Sequence, residues 1–357
     1  GTTRKRSSAF SQVMGIRRGL ERQLSFEPLE SRQLMTITPS FLGAASVLAG
    51  TDVNVSKTPF NQTEVHIAAN PTDPGNVVVM SNGGFGAAGT ALRSSEFTAF
   101  SQDAGANWTV VPITMTQDGR NSTDRFDGAT AVDDFGNTHI VYMRRPPGGA
   151  NNDIMYARSA DGGASYTDFR QIARGADVDK PWVAVGPDAA NPANQAVWVT
   201  YTNSTGGNQR IFATGASVSS LGTVAAFAPV VQVNDGGTQN NYSVPAVGPN
   251  GELVVTWMSP SSGQGPANIQ FDRDLNGLTG GITFGADATV TPTNAGGFDF
   301  IPATPERSTF ASPYVAYDRS GGAHHGRLYL VYADENPAES NDFDIFLRRS
   351  DSNGNAG

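Results

Sequence analysis

The chain has 357 residues and a formal net charge of −9, with 38% hydrophobic and 16% charged residues, 41 Gly, 21 Pro and no Cys. The absence of cysteine excludes a disulfide framework and thiolate metal sites, so stability must come from a packed core, which a chain of this length can supply. An acidic balance gives no electrostatic reason to seek nucleic acid or an anionic bilayer, and no apolar run approaches the ~20 residues of a membrane-spanning helix.

Lysine occurs only at positions 5, 57 and 180, and long runs of helix formers are missing. Abundant Gly and Pro instead predict short strands joined by many turns.

Residues 1–35 differ from the remainder. They carry seven basic and three acidic side chains, a net +4, which leaves −13 for the body. They have no regular apolar period and lack the continuous apolar stretch of an ordinary secretory signal. The segment Leu24-Ser-Phe-Glu-Pro-Leu-Glu-Ser-Arg-Gln-Leu-Met35 resembles the FEPLE-x-R-x-L segment at the start of many exported planctomycete proteins. That resemblance implies export to the cell surface or beyond, with residues 1–50 an export segment and linker, largely disordered. The competing reading is a short amphipathic helix belonging to the domain.

From residue 51 on, a motif recurs five times: an apolar strand, a turn rich in Asp, Asn, Pro and Gly, and a second apolar strand. The copies open at Glu64, Asp127, Lys180, Tyr242 and Ser312, and in each an alanine follows four residues later, at Ala68, Ala131, Ala184, Ala246 and Ala316. The intervals are 63, 53, 62 and 70 residues, longer than solenoid repeats of ~20–47 residues and suited to four strands plus loops, one propeller blade. A small residue at a fixed place suits the crowded strands near a propeller axis. Second strands such as Asn76-Val-Val-Val-Met-Ser81 and Arg327-Leu-Tyr-Leu-Val-Tyr-Ala333 carry the β-branched and aromatic residues of buried sheet. Pro249-Asn250-Gly251 and Asp134-Phe135-Gly136-Asn137 are hairpin turns. A β-sandwich with accidental periodicity is the alternative architecture.

Two repeats carry a further signature, S-x-D-x-G-x-x-aromatic: Ser101, Asp103, Gly105 and Trp108, then Ser159, Asp161, Gly163 and Tyr166, with starts 58 residues apart. In such a turn, Ser and Asp oxygens satisfy backbone N–H groups, Gly supplies a backbone angle other residues avoid, and the ring is expected to bury itself between adjacent sheets. Because its oxygens are used inside the turn, the Asp is read as structural rather than catalytic. Ser350 to Gly354 and Asp272 to Gly277 read as worn copies, and the third repeat, near Thr214 to Leu221, has lost the motif.

These motifs resemble the Asp-box (BNR repeat) of sialidase-like propellers and of bacterial surface proteins that contain it, over residues 60–357. The resemblance implies an all-β, sialidase-like β-propeller, six-bladed when complete, with about five blades present here and the domain expected to continue past Gly357. A sialidase of this family uses three arginines, a Tyr nucleophile with a neighbouring Glu, and an Asp acid/base. The F/Y-R-I/L-P motif that holds the first arginine is missing, and Ile301 to Arg307 shares residue types but not their order, so no catalytic residue carries over.

Repeat geometry instead nominates a binding ring at one mouth of the channel: Glu64, Asp127, Lys180, Tyr242 and Ser312, with Asp179 beside them. The plainer reading is that these residues cap strand ends and meet solvent. No cofactor is expected. Calcium has two weak candidates, Asp272-Asp274-Asn276 with Thr283 where a loop of the EF-hand type needs Glu, and the acidic group Asp334, Glu335, Glu339, Asp342 and Asp344. His324 and His325 read as surface residues. The function expected is an exported recognition scaffold for a carbohydrate or protein ligand, with an exo-α-sialidase-type glycoside hydrolase as the alternative.

Overall fold

The computed structural model describes residues 52–58, 61–84, 94–113, 117–118, 124–145, 151–175, 177–302, 305–351 and 354. The chain divides after Asp52, and the unit described below runs from Val53. The export segment expected over residues 1–50 lies outside the described residues.

Five antiparallel sheets follow one another along the chain, each a simple meander. The first holds β1 (Gln62–Asn70), β2 (Asp73–Gly84), β3 (Ser94–Ser101) and β4 (Thr109–Pro112). The second holds β5 (Asp124–Val132), β6 (Thr138–Arg145), β7 (Asn152–Ser159) and β8 (Thr167–Gly175). The third comprises β9 (Val178–Pro187), β10 (Gln195–Asn203) and β11 (Arg210–Ser220), edged by the two-residue strands β12 (Thr223–Val224) and β13 (Val231–Gln232). The fourth has β14 (Asn241–Val247), β15 (Leu253–Ser259), β16 (Ala267–Asp274) and β17 (Ala288–Thr293), and the fifth β18 (Tyr314–Tyr317), β19 (Leu328–Glu335) and β20 (Phe343–Ser350). Consecutive first strands pack on one another, β1 on β5, β5 on β9, β9 on β14 and β14 on β18, so they are the inner strands of a five-blade β-propeller arrangement.

The repeating alanines occupy equivalent places on these inner strands. Ala68 pairs with Val78, Ala131 with His139, Ala184 with Trp198, Ala246 with Val254 and Ala316 with Tyr329. Each facing pair of sheets encloses its own apolar cluster. Met80, Tyr142 and Tyr166 lie between the first and second, Val141, Tyr156 and Val199 between the second and third, Trp198 and Trp257 between the third and fourth, and Val254, Leu330 and Tyr332 between the fourth and fifth. At roughly 1.5–3 kcal/mol per fully buried large apolar side chain, these interfaces are the main cohesive force between blades.

Among the described residues, the two outermost faces lack such a cover. Ile67 is 68% exposed, whereas the matching residues of the other blades, Thr130, Val183, Pro245 and Val315, are buried. At the far end, Tyr314, Leu347 and Ile345 are exposed, the last at 78%. Leu347 is aligned with Tyr314 through Val331, and Ile345 with Ala333 two residues on, so all three share one face of the fifth sheet.

The two S-x-D-x-G turns have the same internal bonding. Ser101 Oγ and Ser159 Oγ each donate to the Asp two residues on (2.8 and 2.6 Å) and accept from the Gly four residues on (2.9 Å in both). The carboxylates of Asp103 and Asp161 accept from the backbone N–H of Asn107 and Ser165 (2.8 Å in both). Gly105 and Gly163 take the left-handed φ of 91° and 96°. Gly354 N–H donates to Ser350 Oγ at 3.0 Å, the same bond in a worn copy.

The aromatic members differ. Tyr166 is 4% exposed among Met80, Tyr142 and Met155. Trp108 is only half-buried, against the expectation that it would insert between sheets, and it donates its indole N–H to Gly105 O at 2.8 Å. The reason is positional: Tyr166 has the first sheet to pack on, while Trp108 belongs to that first sheet. Tyr166→Ala is therefore expected to lower stability by about 3 kcal/mol, the low end for a buried ring, and Trp108→Ala by less than half as much. Urea midpoints at unchanged m-value check this, and equal losses would remove the positional explanation.

Candidate functional site

The five residues that open the repeats share an uncommon backbone state. Glu64, Asp127, Lys180, Tyr242 and Ser312 have φ of 55°, 56°, 47°, 60° and 41°, in the left-handed region that side chains with a Cβ disfavour. In every blade this residue begins a β-bulge, two residues on the inner strand opposing one on its neighbour. Residues 64 and 65 oppose Ser81, 127 and 128 oppose Tyr142, 180 and 181 oppose Tyr201, and 242 and 243 oppose Trp257. In the fifth blade the bond from Ala333 N–H to Ala311 O (2.8 Å) sets 312 and 313 against Tyr332. Side-chain oxygens hold three of these turns by accepting the N–H of the left-handed residue: Asn82 Oδ1 from Asp127 (2.7 Å), Asp179 Oδ1 from Lys180 (2.9 Å) and Asn241 Oδ1 from Tyr242 (2.8 Å).

The bulge kinks each inner strand and turns its first side chain inward, and all five side chains line one cavity of about 290 Å³. The ring nominated from repeat spacing thus converges on one place, with Asp179 flanking it. Lys180 Nζ lies 3.1 and 3.2 Å from the two Glu64 oxygens and 3.2 Å from Asp127 Oδ2. Arg307 Nη2 approaches Glu64 Oε1 from outside at 3.4 Å.

This crowding sets the protonation states. Burial, then the hydrogen-bonded and negative Asp127, push Glu64 up to about 7, against the pull of Lys180. Burial also pushes Asp127 upward, but the hydrogen bond from Glu64 and the Lys180 cation outweigh it and hold it low. Asp179 is raised, chiefly by burial. Burial works against charge on Lys180, yet Asp127, Glu64 and Asp179 together raise it, so it stays a cation. Behind the cavity, buried Glu96 is held well above the carboxylate range by burial and by the nearby Asp127 and Glu64. Gly128 gives it room, since a β-carbon there would collide with Met80 and Glu96.

Aromatic side chains line the same cavity. Trp182 makes edge contacts with His66 (ring centroids 4.3 Å apart) and with Tyr314 (5.3 Å), and Tyr242 stacks on Phe310 at 4.2 Å. Burial first, and Lys180 second, lower His66 to about 4, so the imidazole is neutral. His66, Trp182 and Tyr314 each lie two residues past a ring position, a register the repeat alignment contains but that spacing alone did not single out. Asn82, Arg307 and Phe310 lie on other elements, and no repeat points to them.

The remaining candidates are placed elsewhere. Asp274 accepts from the N–H groups of Asn276, Gly277 and Thr283 at 2.8, 3.1 and 2.7 Å. Asp334 Oδ1 accepts from Thr293 Oγ1 and from the N–H of Asn294, and Glu335 accepts from the N–H of Glu339 and Asn341. Asp274 and Glu335 bind their own loops and Asp334 ties the fifth blade to the end of β17 in the fourth, and among the described residues no cluster of three His, Cys, Asp or Glu is arranged to hold a metal ion. His324 and His325 are exposed.

No family model matches the chain, and no curated protein sequence matches it. Solved structures do match. The α-L-arabinanase of Penicillium chrysogenum complexed with arabinobiose is 14% identical with a TM-score of 0.50, covering 80% of each chain. An α-L-arabinofuranosidase of Fusarium graminearum in complex with an iminosugar inhibitor is 12% identical with a TM-score of 0.50, covering 80% of this chain and 82% of the other. At such identities the likeness is one of fold, a β-propeller that these glycoside hydrolases share.

The Glu64 proton has a consequence for stability. The folded state keeps it up to about pH 7, whereas the unfolded chain loses it near 4.5, so this residue's contribution is full below pH 4.5 and is lost as pH rises through 7. Glu64→Gln, which mimics the protonated acid, should gain stability relative to the parent on going from pH 5 to pH 7.5. Urea unfolding at the two pH values measures it, and an unchanged difference would refute the raised pKa.

Proposed function

We propose that this chain is an exported propeller that recognises carbohydrate at the mouth of its channel, without chemistry of its own. The observation that carries this reading is the cavity itself: five inner strands deliver one side chain each to a place lined by both a charged cluster and aromatic rings. Sugars offer hydroxyls for the first and apolar C–H faces for the second, and sites that combine an apolar surface with a few fixed polar groups are the usual form of small-ligand pockets. The fold shared with an arabinanase and an arabinofuranosidase supports a glycan as the ligand.

The carboxylate geometry argues for binding over hydrolysis. Two-carboxylate glycosidases keep their acid and their nucleophile or base ~5–5.5 Å or ~6.5–9.5 Å apart so that the sugar, or a water, fits between them. Glu64 and Asp127 instead share a hydrogen bond and one lysine. A sialidase-type clamp would require several arginines, whereas the cation among the described residues lining the cavity is Lys180. The second reading, a glycoside hydrolase, keeps one observation in its favour: a Glu64 proton held to about pH 7 is suited to a general acid.

The Ser–Asp–Gly turns support kinship with Asp-box propellers, and the bare apolar faces of the first and fifth sheets support the further blade that the sequence led us to expect. The basic leader supports export.

Titration calorimetry with arabinobiose, xylobiose and sialyllactose should find millimolar or tighter binding to at least one of them, weakened tenfold or more by Trp182→Ala. Turnover of a fluorogenic arabinofuranoside or sialoside that Glu64→Gln abolishes would replace this reading with the hydrolase.

A further inference from the structure

The described parts of the connection from β17 to β18, residues 294–302 and 305–313, lie at the same end of the propeller as the cavity, which Phe310 and Ser312 line. The connection leaves the fourth blade beside the turn that follows β15, where Phe298 N–H donates to Gly263 O at 3.0 Å and Gly297 lies against the Ser261 backbone so closely that no side chain fits. It then doubles back on itself. Asp299 and Thr309 exchange both backbone bonds, at 3.0 and 2.6 Å. Its returning limb reaches the cavity twice, through Arg307 to Glu64 and through Phe310 stacked on Tyr242.

Within this segment the side chains alternate. Asp299 is buried and accepts from Gly296 N–H at 3.3 Å, which turns its neighbours Phe298 and Phe300 outward. They are 52% and 46% exposed. One exposed ring needs no explanation. Two flanking one buried residue of a pinned segment, with the antiparallel Asp299–Thr309 bridge setting Phe298 across from the cavity-lining Phe310, form an apolar platform that the backbone bonds hold in place. A cavity of about 290 Å³ sits at the small end of the ~300–1,000 Å³ typical of ligand sites, enough for the end of a glycan and not for its length.

We propose that Phe298 and Phe300 are an outer subsite of the same site, stacking the third or a later unit of a neutral oligosaccharide whose terminal disaccharide occupies the cavity. The assignment rests on the carbohydrate reading and narrows it to chains rather than single sugars. A neutral chain fits because the platform presents ring faces and no side-chain charge of its own.

The test compares arabinobiose with arabinopentaose, and xylobiose with xylopentaose, on the whole 357-residue chain and on Phe298→Ala/Phe300→Ala. In the series that binds, the pentamer should bind about tenfold tighter than the dimer. The double variant should erase that advantage while leaving the dimer's affinity and the urea midpoint unchanged, and Phe298→Tyr/Phe300→Tyr should restore it. Equal affinity for dimer and pentamer, or an advantage that survives the double alanine variant, overturns the subsite and leaves the cavity reading standing. Failure of both series to bind overturns the subsite, and the cavity reading with it when sialyllactose fails to bind as well. A double variant that alters only concentration-dependent self-association assigns the rings to a second copy of the chain and also overturns the subsite.

Discussion

A bulged residue in the left-handed region sits near the start of every inner strand, and the rest of the molecule is arranged around that repeated strain. Non-glycine residues held at positive φ cost on the order of 1–3 kcal/mol each and persist only where their surroundings fix them. Here the fixing groups are visible: Asn82, Asp179 and Asn241 accept the strained residue's own N–H, and the ladder resumes in register on the other side of each bulge. What the strain achieves is direction. A regular strand would send successive side chains alternately to its two neighbouring blades. The extra residue breaks that alternation once, and the side chain it releases points into the channel.

Convergence then creates the electrostatic problem that Lys180 solves. Three carboxyl groups from blades one, two and three meet in a half-buried place, where isolated charges are expensive. One cation bridging Glu64 and Asp127, together with one proton retained by Glu64, removes most of the repulsion. The result is a compact polar cluster held on rigid strands rather than on loops. Burial is the main reason that His66 is depressed and Asp179 raised beside it, with Lys180 adding to the first shift and Asp127 to the second.

Outside the channel, cohesion is apolar and pairwise. Each interior blade buries both of its faces, and the consequences of lacking a neighbour can be read at the two ends of the series, in Ile67 on one side and Ile345 on the other, and in the contrast between Tyr166 and Trp108. The same turn, with the same hydrogen bonds, buries its ring only where a second sheet stands opposite.

Much of this was legible in the linear chain. Periodicity determined the architecture, because a blade is a local unit and its alanine, its turn residues and its Ser–Asp–Gly pins recur at fixed offsets. It also determined the ring, since Glu64, Asp127, Lys180, Tyr242 and Ser312 hold one register whatever their side chains. Their chemistry was left open: nothing in five unlike residues at equal spacing says that one is a cation between acids, or that all five share a positive φ, because a bulge is defined by the partner strand. Trp182 and His66 meet across the channel from sites 116 residues apart, and Arg307 and Phe310 arrive on a connection outside the repeat. Such contacts depend on how the blades are wound about a common axis, and only the tertiary structure decides that.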